Sequence, residues 1–328
     1  MKCLIIQTAF IGDVVLATPL VEKLNTFCPE MELHFLLRKG NEGLLDGHPL
    51  IDRLLIFDKK QHKFKNLLRL LQEIRQEKYD LIINVQRFAA TGFLTAFSGA
   101  KERIGFRKNP FSFLFTKAFL HQISAEDQHQ HEVKRNLQLI THLTDDSFVR
   151  PKLYPTAKDR SAFSPEKPYF CIAPASVWFT KQLPAPKWIE LIRQLPADHH
   201  IYLLGAKGDQ TLCEHIQAAV PDKEVEILAG TLNLLASTAL MQGARMNFVN
   251  DSAPLHFASA VNAPVRAVFC STVPAFGFGP LSDDSAVIES PHQLACRPCG
   301  LHGKKACPEG HFRCADVEVA NMVEGLNR

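Results

Sequence analysis

Three short segments contain the residue types that could carry out chemistry on a hydroxyl group or a phosphate. The first is TAFIGDVVLATP, in which Gly12 allows a tight turn and Asp13 stands at the start of a helix. A carboxylate at that position commonly caps the free amides of the helix. The same group can remove a proton from a ligand hydroxyl. The residues around Asp13 leave both interpretations open, and capping is the commoner of the two.

The second segment, APASVWFTKQLP, offers groups suited to the oxygens of a diphosphate. Ser176 and Thr180 supply hydroxyls, and Lys181 supplies a mobile ammonium group. A surface loop with a solvated lysine is the alternative. The spacing of these residues alone does not exclude it.

The third segment, VNDSAPLHFASA, has the pattern of a strand that ends just before a helix. Ser252 and Pro254 are typical helix-start residues, so backbone amides and the positive end of the helix are aimed at an anion. Asp251 is either a helix cap or part of a ligand site. His256 is either a buried core histidine or a ligand contact, and the sequence decides neither question.

Four cysteines near the C-terminus form the pattern C-x2-C-x7-C-x6-C. They are Cys296, Cys299, Cys307 and Cys314, with His302 and His311 between them. This spacing is looser than the paired CxxC knuckles of structural zinc sites. Buried thiols that pack a C-terminal hairpin are the favoured interpretation, and a structural zinc ion is the alternative.

Short apolar runs alternate with helical patterns along the chain, which indicates βαβ units and parallel sheets. The predicted strands are 3–7, 32–37, 53–57, 80–85, 169–174, 201–206, 225–230, 246–251 and 265–270. The predicted helices are 13–27, 65–76, 185–195, 209–220 and one that starts at Pro254. The first loop lacks the three spaced glycines of a dinucleotide site, which disfavours a dehydrogenase.

The periodicity fades between residues 145 and 167, where Pro151, Pro155 and Pro165 stand among polar residues. This composition is typical of a linker. We therefore predict an α/β fold of two Rossmann-like, doubly wound parallel-sheet domains, residues 1–158 and 159–328, that face each other across a cleft. Ligands of such folds bind at the carboxyl ends of the strands.

Composition narrows the possible function classes. The 328 residues are 46% hydrophobic and 22% charged, which is ordinary globular composition, and the net charge of +3 argues against a dedicated nucleic-acid binder. No apolar run approaches the length of a membrane span, and the N-terminus has no cleavage site of a signal peptide. We expect a cytoplasmic protein whose nine cysteines are reduced.

Taken together, the chemical segments resemble glycosyltransferase family 9, the lipopolysaccharide heptosyltransferases, which have the two-domain GT-B fold. The resemblance runs nearly from end to end. It is carried by IGDVVLATPL, YDLIINVQ, ERIGF, a serine followed five residues later by a lysine before LPAPKW, LAGTLNLLA, NDSAPLHFASAVNAPV and the C-terminal cysteines. Ala253 departs from the family pattern, in which glycine is usual.

The resemblance implies an inverting transfer of heptose, or a related sugar, from ADP-heptose to a lipopolysaccharide inner-core acceptor. Asp13 matches the general base, and Lys181 matches the lysine on the donor phosphates. The other donor contacts that it implies are Ser176, Thr231, Asp251, Ser252, Ala253 and His256. It implies no metal and no further cofactor, because Lys181 and the helix end stabilise the departing diphosphate.

An acceptor that carries anionic keto-sugars and phosphates on a lipid requires cations in the first domain. The acceptor-binding candidates are Gly12, Lys63, Lys65, Arg87, Arg103 and Arg107. A lipid-linked saccharide acceptor also implies peripheral contact with the inner face of the cytoplasmic membrane. The alternatives are a transferase with another donor or acceptor, and a nucleotide-sugar-binding protein that has lost turnover.

Overall fold

The structure, a computed structural model, describes residues 1–123 and 130–326 and contains two compact units. The N-terminal unit comprises Met1–Ile123 and His131–Tyr154. The C-terminal unit begins at Pro155 and also takes in Gln130. The change of unit falls within the proline-bearing segment.

The N-terminal unit is built on a six-stranded sheet in which every neighbouring pair of strands is parallel. Its strands are β1 (Lys2–Ile6), β2 (Glu32–Arg38), β3 (Arg53–Phe57), β4 (Leu81–Asn84), β5 (Glu102–Phe106) and β6 (Lys117–Phe119). Their order is β3-β2-β1-β4-β5-β6. Strands β2 and β3 thus lie on one side of β1, and β4, β5 and β6 lie on the other side. The topological switch point is therefore between β1 and β4.

Helices cover both faces of this sheet. They are α1 (Ile11–Val15), α2 (Thr18–Phe27), α3 (Lys63–Glu77), α4 (Ala89–Ala96) and α5 (Glu132–Leu137). On one face, Leu70 and Ile74 of α3 and Leu94 of α4 pack on apolar residues of β1 to β4. On the other face, α2 packs against α5.

The C-terminal unit repeats the same architecture with a different sequence. Its strands are β7 (Tyr169–Ala173), β8 (His200–Leu203), β9 (Val225–Ile227), β10 (Met246–Asn250), β11 (Val265–Phe269) and β12 (Ser285–Glu289). Its helices are α6 (Ala157–Arg160), α7 (Ala185–Gln194), α8 (Gln210–Ala218), α9 (Leu234–Gly243), α10 (Ala253–Ala260) and α11 (Ala320–Val323). The strands are parallel in the order β12-β11-β10-β7-β8-β9. The topological switch point of this sheet is therefore between β7 and β10.

The prediction of two doubly wound, Rossmann-like parallel sheets is confirmed. In both units the strand order is the one that opens a crevice at the carboxyl ends of the two central strands, where ligands of such folds bind. The loops after β1 and β4 form this switch point in the N-terminal unit. The loops after β7 and β10 form it in the C-terminal unit.

The helix predicted over residues 13–27 is two helices in the structure, because Pro19 interrupts the backbone hydrogen bonds. Proline has no N–H, so the carbonyl of Val15 lacks the donor that residue 19 of a continuous helix would supply. The hydroxyl of Thr18 donates to that carbonyl instead, at 2.8 Å. This hydrogen bond ties the start of α2 to the end of α1, the short helix that carries Asp13.

The close approach of β4 and β5 depends on a glycine. A Cβ atom at Gly105 would lie 2.9 Å from the carbonyl oxygen of Asn84 and 2.7 Å from the ring of Phe115. The Asn84 carbonyl is backbone and cannot move without shifting β4. At Gly43, in contrast, a Cβ atom meets nothing within 4 Å.

We predict that Gly105→Ala destabilises the N-terminal unit by about 1–3 kcal/mol, the usual cost of overpacking a tight interior. Gly43→Ala is the matched control and should unfold at the same denaturant concentration as the wild type. Urea unfolding followed by far-ultraviolet circular dichroism, which reports on the helices and strands of both units, measures both variants. Equal midpoints for the two variants would contradict the prediction.

Candidate active site

Asp13 lies at the switch point of the N-terminal sheet, in the third position of α1. Its carboxylate oxygen Oδ2 accepts a hydrogen bond of 3.1 Å from the backbone N–H of Phe10, the residue that precedes the helix. The carboxylate is partly exposed. The capping contact expected from the sequence is therefore present, and it fixes the orientation of the carboxyl group at the carboxyl end of β1.

Buried amide side chains hold the two loops of this switch point together. The side-chain nitrogen of Gln86, after β4, donates to Oε1 of Gln7, after β1. The same Oε1 atom accepts from the backbone N–H of Ala9 at 3.1 Å. Asn84, at the end of β4, accepts from the backbone N–H of Gln86 at 2.9 Å. The loop that leads into α1 is consequently braced from the neighbouring strand.

The predicted acceptor cations are distributed unequally over the two edges of the N-terminal sheet. Lys63, Arg87 and Arg107 follow the carboxyl ends of β3, β4 and β5 and are exposed. Arg103 instead lies near the amino end of β5, where its guanidinium group donates to the backbone carbonyls of Ala100 and Leu114. Arg103 is thus on the edge of the sheet opposite to Asp13. Gly12 lies in α1 itself, next to Asp13.

Lys59 is a cation beside the Asp13 loop that the sequence did not single out. Its Nζ atom donates to the carbonyl of Thr8 at 2.7 Å. Burial, together with the positive charges of Arg38 and Lys63, lowers the pKa of Lys59 to about 8. Three cations therefore lie close together near the first loop, a concentration of charge that suits an anionic ligand.

In the C-terminal unit, Lys181 and Asp251 meet across the switch point. The Nζ atom of Lys181, in the loop after β7, lies 2.6 Å from Oδ2 of Asp251, which follows β10. The hydroxyl of Thr272, after β11, donates to the same oxygen at 2.6 Å. Three neighbouring strands thus place an ammonium group, a carboxylate and a hydroxyl at one point. Asp251 is not the helix cap, because that position belongs to Ser252.

The side chain of Asn250 fastens these two loops to each other. Asn250 is fully buried at the end of β10, and its Nδ2 atom donates to the carbonyl of Pro174 at 2.9 Å. Its Oδ1 atom accepts from the backbone N–H of Leu183 at 2.9 Å. Both ends of the loop that carries Lys181 are therefore tied to the strand that carries Asp251.

Helix α10 starts beside this ion pair. Ser252 is its N-cap, Ala253 its first residue and Pro254 its second. The N–H groups of a first helical turn have no partner within the helix, and the helix end carries partial positive charge. His256 is buried in the same turn. The structure thus brings Lys181 and the start of α10 together, as the sequence predicted.

The remaining donor candidates lie in different parts of the unit. Ser176 is in the β7 loop, where its backbone N–H donates to the side chain of Gln182 at 3.1 Å. Thr231 is exposed after β9, and its hydroxyl donates to the carbonyl of Leu228 at 2.9 Å. Because β8 separates β9 from β7, Thr231 lies further along the sheet edge than the ion pair does.

A segment near the cysteines supports the side chain of Lys181. The backbone N–H of Lys304 donates to the hydroxyl of Thr180 at 2.7 Å, and the backbone N–H of Thr180 donates to the Lys304 carbonyl at 3.1 Å. Gly303, with φ of +75°, lies against the Lys181 side chain, and a Cβ atom there would be 2.9 Å from Cγ of Lys181. The sequence gave no sign of this contact, because more than 120 residues separate its two sides.

Comparison with known proteins identifies the family. The model of glycosyltransferase family 9 (heptosyltransferase) matches residues 67–310 of the 328. This chain belongs to glycosyltransferase family 9. It is a glycosyltransferase enzyme, as the sequence predicted.

Several curated relatives of this glycosyltransferase are lipopolysaccharide heptosyltransferases. Lipopolysaccharide heptosyltransferase 3 of Escherichia coli is 27% identical over 282 residues, which cover 80% of this chain and 82% of that protein. Lipopolysaccharide heptosyltransferase 1 of Campylobacter coli is 23% identical, with 83% and 84% of the two chains covered.

Solved structures show the same fold. ADP-heptose lipopolysaccharide heptosyltransferase II of E. coli aligns with a TM-score of 0.81 at 21% identity and covers 100% of this chain and 98% of its own. E. coli heptosyltransferase WaaC with ADP aligns with a TM-score of 0.77 at 19% identity, covering 100% and 99%. At these identities the likeness concerns the GT-B fold alone.

The four C-terminal cysteines of the glycosyltransferase do not form a compact ligand set. Cys314 is buried, whereas Cys296, Cys299 and Cys307 are partly exposed. The Sγ atom of Cys296 lies 3.9 Å from Nε2 of His311. Burial raises the pKa of the Cys314 thiol to about 11.

Within residues 1–123 and 130–326, the ligand atoms of three or more His, Cys, Asp or Glu residues converge within 4.8 Å only at Glu32, His34 and Glu77. The Nζ atom of Lys2 lies 3.1 Å from Glu32 and 2.7 Å from Glu77, so a cation of the protein already balances these carboxylates. In the same described ranges, no helix has the length and apolar character that crossing a membrane requires.

The low pKa of Lys59 leads to a prediction about its reactivity. With a pKa of about 8 instead of 10.5, its neutral fraction at pH 8 is on the order of a hundred times that of an ordinary lysine. We therefore expect an amine-acylating reagent at pH 8 to modify Lys59 faster than its exposed neighbour Lys60. Mass spectrometry of timed digests measures both rates.

Arg38→Gln provides the matched test of the cause. Removal of one neighbouring positive charge should raise the pKa of Lys59 and slow its acylation, while the rate at Lys60 stays the same. If Lys59 and Lys60 react at equal rates in the wild-type enzyme, the predicted shift is wrong.

Proposed function

We propose that this enzyme transfers a heptose from ADP-heptose to a saccharide of the lipopolysaccharide inner core, with inversion at the anomeric carbon. The observation that carries the proposal is the meeting of Lys181 with the start of α10 at the switch point of the C-terminal sheet. An ammonium group beside a helix N-terminus is a site for a diphosphate. The lipopolysaccharide heptosyltransferases among the curated relatives supply the sugar and the acceptor class.

In the proposed reaction the C-terminal unit holds the donor. Lys181 has three N–H donors, of which one serves Asp251. The diphosphate takes further donors of Lys181 and the backbone N–H of Ala253 at the start of α10, because Pro254 has no N–H and that of Leu255 donates to the Ser252 carbonyl at 3.1 Å. As the bond between the anomeric carbon and the diphosphate oxygen breaks, negative charge grows on that oxygen, and these fixed positive groups stabilise it. Ser176, Thr231 and His256 remain proposed donor contacts.

Asp251 acts in this proposal through Lys181. A carboxylate would repel a diphosphate, but its 2.6 Å contact with Nζ fixes the ammonium group in one place. The hydroxyl of Thr272 in turn orients the carboxylate. Asp251 is accordingly a positioning residue, and Lys181 is the group that touches the donor.

Asp13 acts as the general base from the N-terminal unit. An acceptor hydroxyl loses its proton to the Asp13 carboxylate while its oxygen forms the new bond to the anomeric carbon. One displacement of this kind inverts the configuration of that carbon. The hydrogen bond from the Phe10 amide holds one carboxylate oxygen, which keeps the group oriented for the transfer.

The proposed acceptor is a lipid-linked saccharide that carries negative charges. Lys63, Arg87 and Arg107, together with Lys59, are the proposed contacts at the carboxyl edge of the N-terminal sheet. The contacts of Arg103 with two backbone carbonyls favour a structural role for that residue. An acceptor anchored in lipid requires a cytoplasmic enzyme that works at the inner face of the cytoplasmic membrane.

We predict that Asp13→Asn reduces transfer by at least a thousandfold and leaves ADP binding unchanged. The amide retains an oxygen that can accept from the Phe10 N–H but cannot take a proton, so the fold survives and the base is lost. Transfer of heptose from ADP-heptose to an inner-core acceptor is followed by mass spectrometry, and ADP binding by calorimetry. Wild-type turnover in this variant would overturn the role of Asp13. Absence of transfer by the wild-type enzyme would overturn the proposed reaction.

A second prediction tests the support of Lys181. Gly303→Ala places a methyl group 2.9 Å from Cγ of Lys181 and should displace its ammonium group from Asp251. A charge-assisted hydrogen bond contributes about 1.5–3 kcal/mol. We therefore expect ADP to bind roughly tenfold more weakly, as measured by calorimetry.

Gly310→Ala is the control for this measurement. Gly310 lies in the same segment and has nearly the same φ, +72° against +75°, but a Cβ atom there meets nothing within 4 Å. Both variants therefore carry the same backbone strain, and only one touches Lys181. Equal ADP affinities for the two variants would show that Gly303 has no part in donor binding.

A further inference from the structure

One face of the N-terminal unit exposes large apolar side chains that belong to neighbouring elements. Phe64 and Leu68, one turn apart on α3, are 76% and 60% exposed. Helix α3 packs against α4, and α4 packs against the turn Ser112–Leu114. On that turn Phe113 is 79% exposed. Exposed apolar side chains grouped in this way mark a surface that meets a protein or a membrane.

Aromatic residues of α4 and the segment before the turn pack against each other, and one of them, Phe97, is itself 44% exposed. The rings of Phe93 and Phe97 on α4 lie 5.0 Å apart, and the ring of Phe111 lies 6.1 Å from that of Phe97. The turn that carries Phe113 therefore rests on a packed aromatic cluster. Phe113 points away from this support, because its side chain has remained largely in solvent.

In three stretches around these apolar residues, the charged side chains are all basic. The stretches 59–72, 86–101 and 103–123 contain no Asp or Glu. The exposed cations that accompany the apolar residues are Lys63, Lys65, Arg69, Arg75, Arg107 and Lys108.

The two acidic residues of α3, Glu73 and Glu77, are both paired with Arg53 of β3. They thus lie toward the flank of the helix that meets the sheet edge, and Arg53 balances their charge. The outward side of α3 is left basic and apolar.

We propose that the surface formed by α3, α4 and the turn Ser112–Leu114, termed here the basic apolar face, docks on a bilayer of anionic phospholipids. A helix face that combines Lys and Arg with Phe and Leu is the chemistry that inserts at the boundary of headgroups and acyl chains. The absence of acidic residues from the three stretches matches an anionic surface and disfavours a partner of mixed charge.

The position of the basic apolar face suits the proposed reaction. The role of docking, to bring the enzyme to a lipid-linked acceptor, rests on that proposed function. Helix α3 begins at the carboxyl edge of the N-terminal sheet, the edge at which α1 carries Asp13. Lys59, in the segment that leads into α3, donates to the Thr8 carbonyl in the loop that leads into α1. A bilayer at the end of the basic apolar face that contains Lys63 and Phe64 would therefore lie beside the edge where a lipid-linked acceptor must present its hydroxyl.

The test is flotation of the full-length enzyme with two kinds of vesicles, phosphatidylcholine alone and phosphatidylcholine with phosphatidylglycerol. We expect binding to the anionic vesicles only, and its weakening as salt rises. Phe64→Ser with Leu68→Ser should reduce binding more than tenfold. Arg69→Gln with Arg75→Gln should do the same, since each cation near an anionic surface changes affinity about fivefold.

Two controls match these variants. Phe27→Ser removes an exposed aromatic side chain from α2, which packs on the other face of the sheet with α5, and should leave flotation unchanged. Lys158→Gln with Arg160→Gln removes two exposed cations from α6 of the C-terminal unit and should also have little effect. Thermal unfolding of every variant establishes that each is folded.

Equal flotation of the wild type and the α3 variants would overturn the proposal, as would equal binding to neutral and anionic vesicles. If sedimentation equilibrium shows a dimer that Phe64→Ser with Leu68→Ser dissociates, the face is occupied by a second copy and the lipid assignment is wrong.

Transfer from ADP-heptose to a delipidated inner-core saccharide separates this proposal from the proposed function. The α3 variants should keep that activity. If the wild-type enzyme lacks this transfer activity, the proposed reaction is wrong, and the vesicle result still tests the docking proposal.

Discussion

The hydrogen bonds of Asn250 hold together two loops that the topology of the C-terminal sheet sends in opposite directions. At a switch point the helix after one central strand crosses to one side of the sheet, and the helix after the other strand crosses to the opposite side. A crevice opens there because nothing in the backbone ladder bridges it. Asn250 bridges it with a buried side chain that contacts Pro174 and Leu183. The 2.6 Å contact of Lys181 with Asp251 depends on this brace, since each residue lies on one of the two loops.

The N-terminal unit meets the same constraint with a different set of amides. Asn84 ends β4 as Asn250 ends β10, and it too is fully buried. Its side chain, however, donates to the hydroxyl of Thr95 and accepts from its own loop at Gln86. The bridge to the first loop is made by Gln86 and Gln7. Buried amides are costly unless their donors and acceptors are paired. The contact that fixes the two loops pairs the side-chain nitrogen of Gln86, whereas its buried Oε1 atom has no partner among the described residues.

Much of the fold was predictable from the sequence, because buried parallel strands appear as apolar runs. The strand 53–57 was predicted with both of its ends, and the other predicted strands lie within a few residues of those observed. The strands β5, β6 and β12 were missed. They are short or carry charged and small residues, and their burial depends on neighbours that no local pattern encodes. The helix over 13–27 was predicted as continuous because its apolar stripe is unbroken, whereas Pro19 interrupts it through the backbone.

At the site, the types of residue were predictable but their partners were not. Lys181 and the start of α10 were expected to act together, because the resemblance to glycosyltransferase family 9 assigns both of them to the donor diphosphate. The residues that support Lys181 were not predictable, because they are distant from it in the sequence. Thr272 donates to Asp251, which pairs with Lys181, and Gly303 lies against the Lys181 side chain. Lys59 escaped notice for the same reason, since its contact with Thr8 spans 51 residues.

Capping by Asp13 is physically compatible with the catalytic role proposed for it. A general base must present a carboxylate oxygen at hydrogen-bonding distance to a hydroxyl, which requires that the carboxyl group keep one orientation. The Phe10 amide supplies that orientation by holding Oδ2, and the short helix α1 holds the Phe10 amide. The position of α1 is set on one side by the braced loop after β1 and on the other by the hydrogen bond of Thr18 of α2 with the Val15 carbonyl. The capping contact predicted from the sequence is the hydrogen bond between the Phe10 amide and Asp13. The same hydrogen bond would make a carboxylate at this position effective as a base.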